Sequence, residues 1–491
     1  MTCCELLFSY ENEQRSRPIT YAATELLSRV GIPFSICTYG ELSDQNPRVL
    51  VTYGRTLPSS SLASSVPHIH IMESPFWGDT YGTKAAMPSG PVEKYEGIPV
   101  LCWGQPGKIA DAEERSVKMR AWLPCDLIAS TFLMLSRYEE VVLPERDQHD
   151  RFPARASIAF REGFLNRPVV DEYADLLWRT VLRTVGLIKR IRPWGEHDYA
   201  FCLTHDIDRI RLFSKIWHVA SASLGAFRRK PLGVVRVARD FFRVAAGYGR
   251  NPYDTFADLL SLERIFGIRA TYFFLSGGET RFDGRYALTD VRDTLHLLKE
   301  NGHEIGLHGS YNSYVNTALL SSERASLEAV IGARVRSLRQ HYLRFRVPDT
   351  WRAAMRSGLE VDSTLAFAQH EGFRAGTAYP FRPYDIEANQ ALEIWEVPLA
   401  VMDATLFGYR KMKSDHALKC IMRILDIVQT TGGVFVLLWH NSTLYEPLYP
   451  GAADLLYRVL QRVMADGALM ETVSEVADSW ARYRKGLECA F

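Results

Sequence analysis

Past residue 195 the chain settles into a rhythm of apolar runs and helix-length connections. Runs at 199–206, 270–275, 303–308, 335–342, 359–363, 392–402 and 434–439 read as strands, and stretches such as 255–266 and 290–301 between them have helical spacing. In the second of these stretches Val291, Leu295 and Leu298 share one side, and Gly302 stands where a helix end takes a left-handed residue. Strands separated in this way pair in parallel, and about seven of them predict a barrel. Residues 1–190 predict a smaller mixed α/β domain, with strands at 48–53, 68–72 and 99–103 and helices at 126–140 and 171–189. In the last helix Tyr173, Leu176, Leu177, Val181, Leu182 and Val185 recur at the spacing of one buried face.

The strand pattern also places chemistry. Alternate side chains of a strand share a face, so Asp206 and Asp208 point one way while His205 and Ile207 point the other. Barrel sites form at the carboxyl ends of strands, and Asp206, Asp208, His308 and His440 all fall at such ends. One carboxylate with a histidine can hold a cation, and the spare carboxylate can take a proton from water, which is the outfit of metal-assisted hydrolysis.

Composition narrows the picture. The chain's 491 residues exceed one compact core of ordinary size, which agrees with two domains. A formal net charge of +1 gives no general case for nucleic acid. Residues 209–250 depart from that balance, with ten Lys or Arg against the single acid Asp240 and with Trp217, Phe227, Phe241 and Phe242 interleaved. This segment is expected as a basic helical insertion, either a solvated excursion or a flap for an anionic substrate or a membrane surface. Residues 1–20 lack the apolar core and cleavage site of a secretory signal, and no apolar run reaches the roughly 20 residues of a membrane span. The eight cysteines form no C-x-x-C pair, so reduced thiols and a cytoplasmic location are the expectation.

With these residues in place, the part from about 195 onward resembles the polysaccharide deacetylases, carbohydrate esterases with a distorted (β/α) barrel. The resemblance rests on Thr204-His205-Asp206-Ile207-Asp208, on Gly302-His303-Glu304-Ile305-Gly306-Leu307-His308, and on Leu437-Leu438-Trp439-His440-Asn441, in that order. It covers about 60% of the chain and implies two domains, 1–190 and 195–491, the first similar to the accessory domain that precedes some members. It implies a divalent metal, zinc by preference, and an acetylated amino sugar or glycan as substrate. By the same resemblance Asp206 is the base acting on water, Asp208 and His308 are metal ligands, and His440 is the acid for the leaving amine. Family members usually carry a third ligand, His, four residues after the first, and Asn312 stands there; Ser310 and Tyr311 are weaker substitutes. An arginine commonly holds the base in this family, and Arg339 or Arg344 is the candidate here. A hydrolase of a non-sugar amide, or an inactive barrel that binds glycan or protein, stays open as an alternative.

Other assignments follow from position. His341, Asp362, Arg374 and Trp439 are candidates for substrate contact, with Arg382 and Trp395 beside them, while Asp403, and Asp362 as an alternative, are candidates to orient His440. His205 and His303 are expected to be structural.

Overall fold

The computed structural model describes residues 5–44, 47–59, 62–104, 120–213, 216–229, 233–283 and 286–489. Cys3, Cys4, Lys215 and Lys230, which entered the readings above, lie outside the described residues.

The first unit is built on a parallel sheet. Its strands are β1 (Leu6–Tyr10), β2 (Phe34–Thr38), β3 (Val49–Gly54) and β4 (His68–Met72), followed by a hairpin of β5 (Glu93–Tyr95) and β6 (Ile98–Val100), and then β7 (Arg120–Leu123). The sheet order is β2-β1-β3-β4-β7. The helix Ser16–Val30 packs against the helices Leu127–Leu135 and Val169–Val185, burying Ala22, Leu26 and Leu27. The expected helix at 126–140 divides in two: Arg137 takes a left-handed φ of 51°, and its buried guanidinium binds Glu139 and Glu140.

The second unit is the expected α/β barrel-like sheet. It contains β8 (Ala200–Ile207), β9 (Thr271–Leu275), β10 (Glu304–Gly309), β11 (Ser337–Gln340), β12 (Val361–Asp362), a hairpin of β13 (Tyr384–Asp385) and β14 (Gln390–Ala391), β15 (Trp395–Glu396), β16 (Val401–Met402), β17 (Val434–Leu438) and β18 (Leu469–Met470). Eight strands run in the order β15-β12-β11-β10-β9-β8-β17-β16, β18 joins β8, and every pairing is parallel. The count exceeds seven because the run 392–402 holds two separate two-residue strands and because β18 is too short to stand out. The segment 209–250 forms the helices Ile216–Arg229 and Gly233–Ala245, packed on one another.

One continuous cluster of buried apolar side chains runs through both units, from Leu6 and Phe8 through Tyr173 to Leu437 and Trp439. Buried ion pairs cross the same boundary: Arg374 with Glu140, and Arg484 with Glu25. Among the described residues no disulfide joins one cysteine to another.

Candidate active site

Parallel pairing brings the carboxyl ends of the strands to one rim. Asp206 lies in β8 with Asp208 just after it, His308 in β10, His341 one residue past β11, Asp403 one residue past β16 and His440 two residues past β17. The sheet curls enough for Asp208 to meet groups from three other strands. Asp208 Oδ1 lies 3.2 Å from His308 Nε2 and 3.4 Å from His341 Nε2, and Asp208 Oδ2 lies 3.7 Å from His440 Nε2. Gly306 allows this layer to close, because a Cβ there would sit 2.5 Å from the Phe273 ring, over which Arg339 lies at 5.0 Å.

Asp208, His308 and His341 each present one donor atom, and the three atoms lie within 4.8 Å of one another. The far side of each imidazole fixes its tautomer. His308 Nδ1 donates to the carbonyl of Arg339 at 2.8 Å, and His341 Nδ1 donates to Asp283 Oδ1 at 3.2 Å. Both Nε2 lone pairs are thereby turned toward a carboxylate, an arrangement of acceptors that calls for a positive charge between them. A divalent cation fits this donor set of two nitrogens and one oxygen, with the buttressing carbonyl and carboxylate that metal-bound histidines take. The charges agree. Burial would raise Asp208, but His341, His308 and His440 hold it well below the usual carboxylate range. Burial would lower His308, yet Asp206 and Asp208 raise it.

Asp206 is buried, its Oδ2 3.9 Å from His308 Nε2, and its Oδ1 has no hydrogen-bond partner among the described residues. Arg339 is fully buried below it. Burial lowers this guanidinium, and the carboxylates of Asp206, Asp362 and Glu396 oppose that shift. His440 Nδ1 donates to Asp403 Oδ1 at 2.6 Å, while the His440 amide donates to Asp403 Oδ2 at 2.8 Å. Burial works against a charged His440, but Asp403, with Asp208 and Asp206, brings it up to about 10.

Several expected site residues stand elsewhere. Asn312 is not in the donor group: the strand ends at Gly309, and the turn that follows points the Asn312 amide oxygen at Arg344, 3.2 Å away. His341 occupies that corner. Arg344 does not reach Asp206; it binds the carbonyls of His149 and Tyr311 and lies between the rings of Tyr311 and Tyr314. Arg374 is not on the rim, since it is 1% exposed and bound to Glu140. Trp439 is core, edge-on to Phe407. Asp362 spends its carboxylate on Thr364, leaving Asp403 to hold His440. Arg382 lies over Trp395, away from these groups. His205 and His303 face Glu263 behind the sheet, at 3.0 and 3.6 Å.

Sequence reasoning missed Asp283 and the segment 147–151. Asp283 accepts from His341, Thr280 and the amide of Tyr311. It sits in the loop after β9 with no pattern around it. From the first unit, Arg151 donates to the carbonyl of Tyr342 at 2.7 Å, and His149 Nδ1 meets the Tyr311 hydroxyl at 2.9 Å. Tyr342 and Leu343 both have left-handed backbones, so the first unit braces the strained turn that carries His341.

Residues 7–185 match a protein-family model described as a family of unknown function, DUF7033. No curated protein matches the chain. Among solved structures, a polysaccharide deacetylase candidate of Mycobacterium smegmatis is 17% identical with a TM-score of 0.41, over 60% of this chain and 92% of that one. Puue allantoinase is 15% identical with a TM-score of 0.40, over 60% and 94%. A polysaccharide deacetylase candidate of Pseudomonas aeruginosa PAO1 is 14% identical with a TM-score of 0.39, over 62% and 97%.

Proposed function

We propose that the protein is a metal-dependent hydrolase that removes an N-acetyl group from an amino sugar or a glycan intermediate. The observation that carries this reading is the convergence of Asp208 Oδ1, His308 Nε2 and His341 Nε2, with the unpartnered Asp206 oxygen on one side and the Asp403-held His440 on the other. The choice of an acetylated sugar rests on the three sequence motifs.

A divalent cation held by Asp208, His308 and His341 would polarise the acyl carbonyl and acidify water. The remaining steps belong to this chain's residues. Asp206 takes a proton from water as the water oxygen adds to the acyl carbon. His440, its Nδ1–H fixed by Asp403, passes a proton from Nε2 to the departing nitrogen as the C–N bond breaks. Acetate and a free amine leave. Asp283 and the Arg339 carbonyl keep the two ligand imidazoles in the tautomer that presents Nε2.

The test is acetate release from acetylated amino sugars, nucleotide-linked and lipid-linked, with several divalent metals. Asp206→Asn and His440→Gln should each lower release by about 100-fold or more with unchanged circular dichroism. Full activity in both variants would defeat the assignment.

A further inference from the structure

We propose that the helical hairpin Ile216–Arg229 and Gly233–Ala245 docks on an anionic lipid bilayer, holding the rim of the candidate site against that surface. No helix among the described residues is long and apolar enough to cross a membrane, so the contact is interfacial.

The hairpin has an inner and an outer face. Inward, Ala222, Ala226 and Val237 pack with Leu212, Tyr253 and Tyr445 in a small core of their own. Outward, large apolar side chains stand in solvent: Leu224 and Phe227 on the first helix, Val235 and Phe242 on the second, with Phe242 68% exposed. At 3.6 residues per turn, Val235, Arg236, Arg239, Phe242 and Arg243 fall within an arc of about 120°. All five are exposed. On the first helix, exposed Arg228 follows Phe227. Aromatic and aliphatic groups set among arginines on one outward face suit the boundary between headgroups and acyl chains, where the apolar groups enter and the guanidinium groups meet phosphates.

Charge selects the occupant. Ten basic residues less one acidic residue give 209–250 a net charge of +9 within a chain whose total is +1. A second copy of the chain, related by a two-fold axis, would set this basic face against itself. An anionic bilayer supplies both the opposite charge and the apolar depth.

The hairpin is tied to the site. It leaves the sheet at Arg209, one residue after Asp208. Asn441, one residue after His440, donates to the carbonyls of Arg209 at 2.8 Å and Tyr253 at 2.7 Å, which bracket the insertion. Tyr445 donates to Asp240 at 3.1 Å and pins the second helix to the same rim. A docked protein would therefore meet amides carried on bilayer-anchored molecules. That substrate class rests on the proposed hydrolase reading; the docking does not.

Co-sedimentation of the full chain with vesicles of phosphatidylcholine, alone or with about 30% phosphatidylglycerol, tests the docking. Binding should be at least about tenfold greater on the anionic vesicles and should fall as sodium chloride is raised. Phe227→Asp/Phe242→Asp and, separately, Arg236→Glu/Arg243→Glu should reduce it to the phosphatidylcholine level. All four positions are exposed, and acetate release from a water-soluble substrate should stay as in the parent. Equal binding to both vesicles, undiminished binding by both variants, or a dimer broken by these substitutions with no vesicle binding would overturn the proposal. Vesicle binding as described, by a protein that releases no acetate, would uphold the docking and defeat the hydrolase reading.

Discussion

Asp403 holds His440 by two hydrogen bonds, one to Nδ1 and one to the backbone amide, so both the ring's angle and its tautomer depend on one carboxylate. Asp403→Asn would keep the shape, but its amide can offer a donor where the imidazole needs an acceptor. Turnover should fall by about 10- to 100-fold, with little change in KM. A purely structural Asp403 would change thermal stability instead and leave kcat alone. Asp206, Asp208, His308 and His440 stand out in the sequence as strand-end residues, and Asp403 as one of two candidates to orient His440. The third donor could not be found by spacing alone. A position four residues after His308 would share its side if the strand ran on, but the strand ends at Gly309 and the chain turns. His341 was findable by another route: it ends the strand beside that of His308, in the register Leu307 to Leu338 and His308 to Arg339.

At the scale of elements, β3 and β4 are tied by a buried polar cluster in which the Thr52 hydroxyl lies 2.7 Å from His68 and 2.8 Å from His70. Burial, aided for His68 by His70 and Arg120, lowers both imidazoles to about 4. An unfolded chain takes these protons near pH 6.5, so between about 6.5 and 4 the unfolded state binds more protons and stability falls as pH falls. Together the pair is worth on the order of a few kcal/mol over that range. Glu73, pushed up to about 7 mainly by burial, acts in the opposite sense over an overlapping range. The readout is therefore the difference between the parent and His68→Gln/His70→Gln in denaturant titrations at pH 7 and pH 4.5. The variant should lose less stability on acidification, and equal losses would contradict the account. The strand His68–Met72 was legible to the residue as a run bounded by Pro67 and by Glu73-Ser74-Pro75. β1, β2 and the helix Ser16–Val30 were not expected.

In the molecule as a whole, the two units share one core, and Arg374 shows how firmly they are joined. Its guanidinium binds both oxygens of Glu140, at 2.9 and 2.5 Å, in the interior. Removing one partner of a buried pair leaves an uncompensated charge, so Arg374→Ala should cost about 3 to 5 kcal/mol of stability in urea unfolding. A rim arginine would instead raise KM and leave unfolding unchanged. In the sequence Arg374 reads as a candidate for substrate contact; only the tertiary contact with the first unit shows otherwise. The same holds for His149 and Arg151, which bring the first unit to the turn that carries His341.

The central claim is a cation site built by Asp208, His308 and His341. Calorimetric titration of metal-stripped protein with zinc or cobalt tests it most directly. Outer-shell partners alone are worth about 10- to 100-fold in affinity, so His341→Ala should weaken binding by more than about 100-fold. Asn312→Ala should leave one tight equivalent in place. Loss of the ion in Asn312→Ala with retention in His341→Ala, or no binding by the parent protein, would contradict the account.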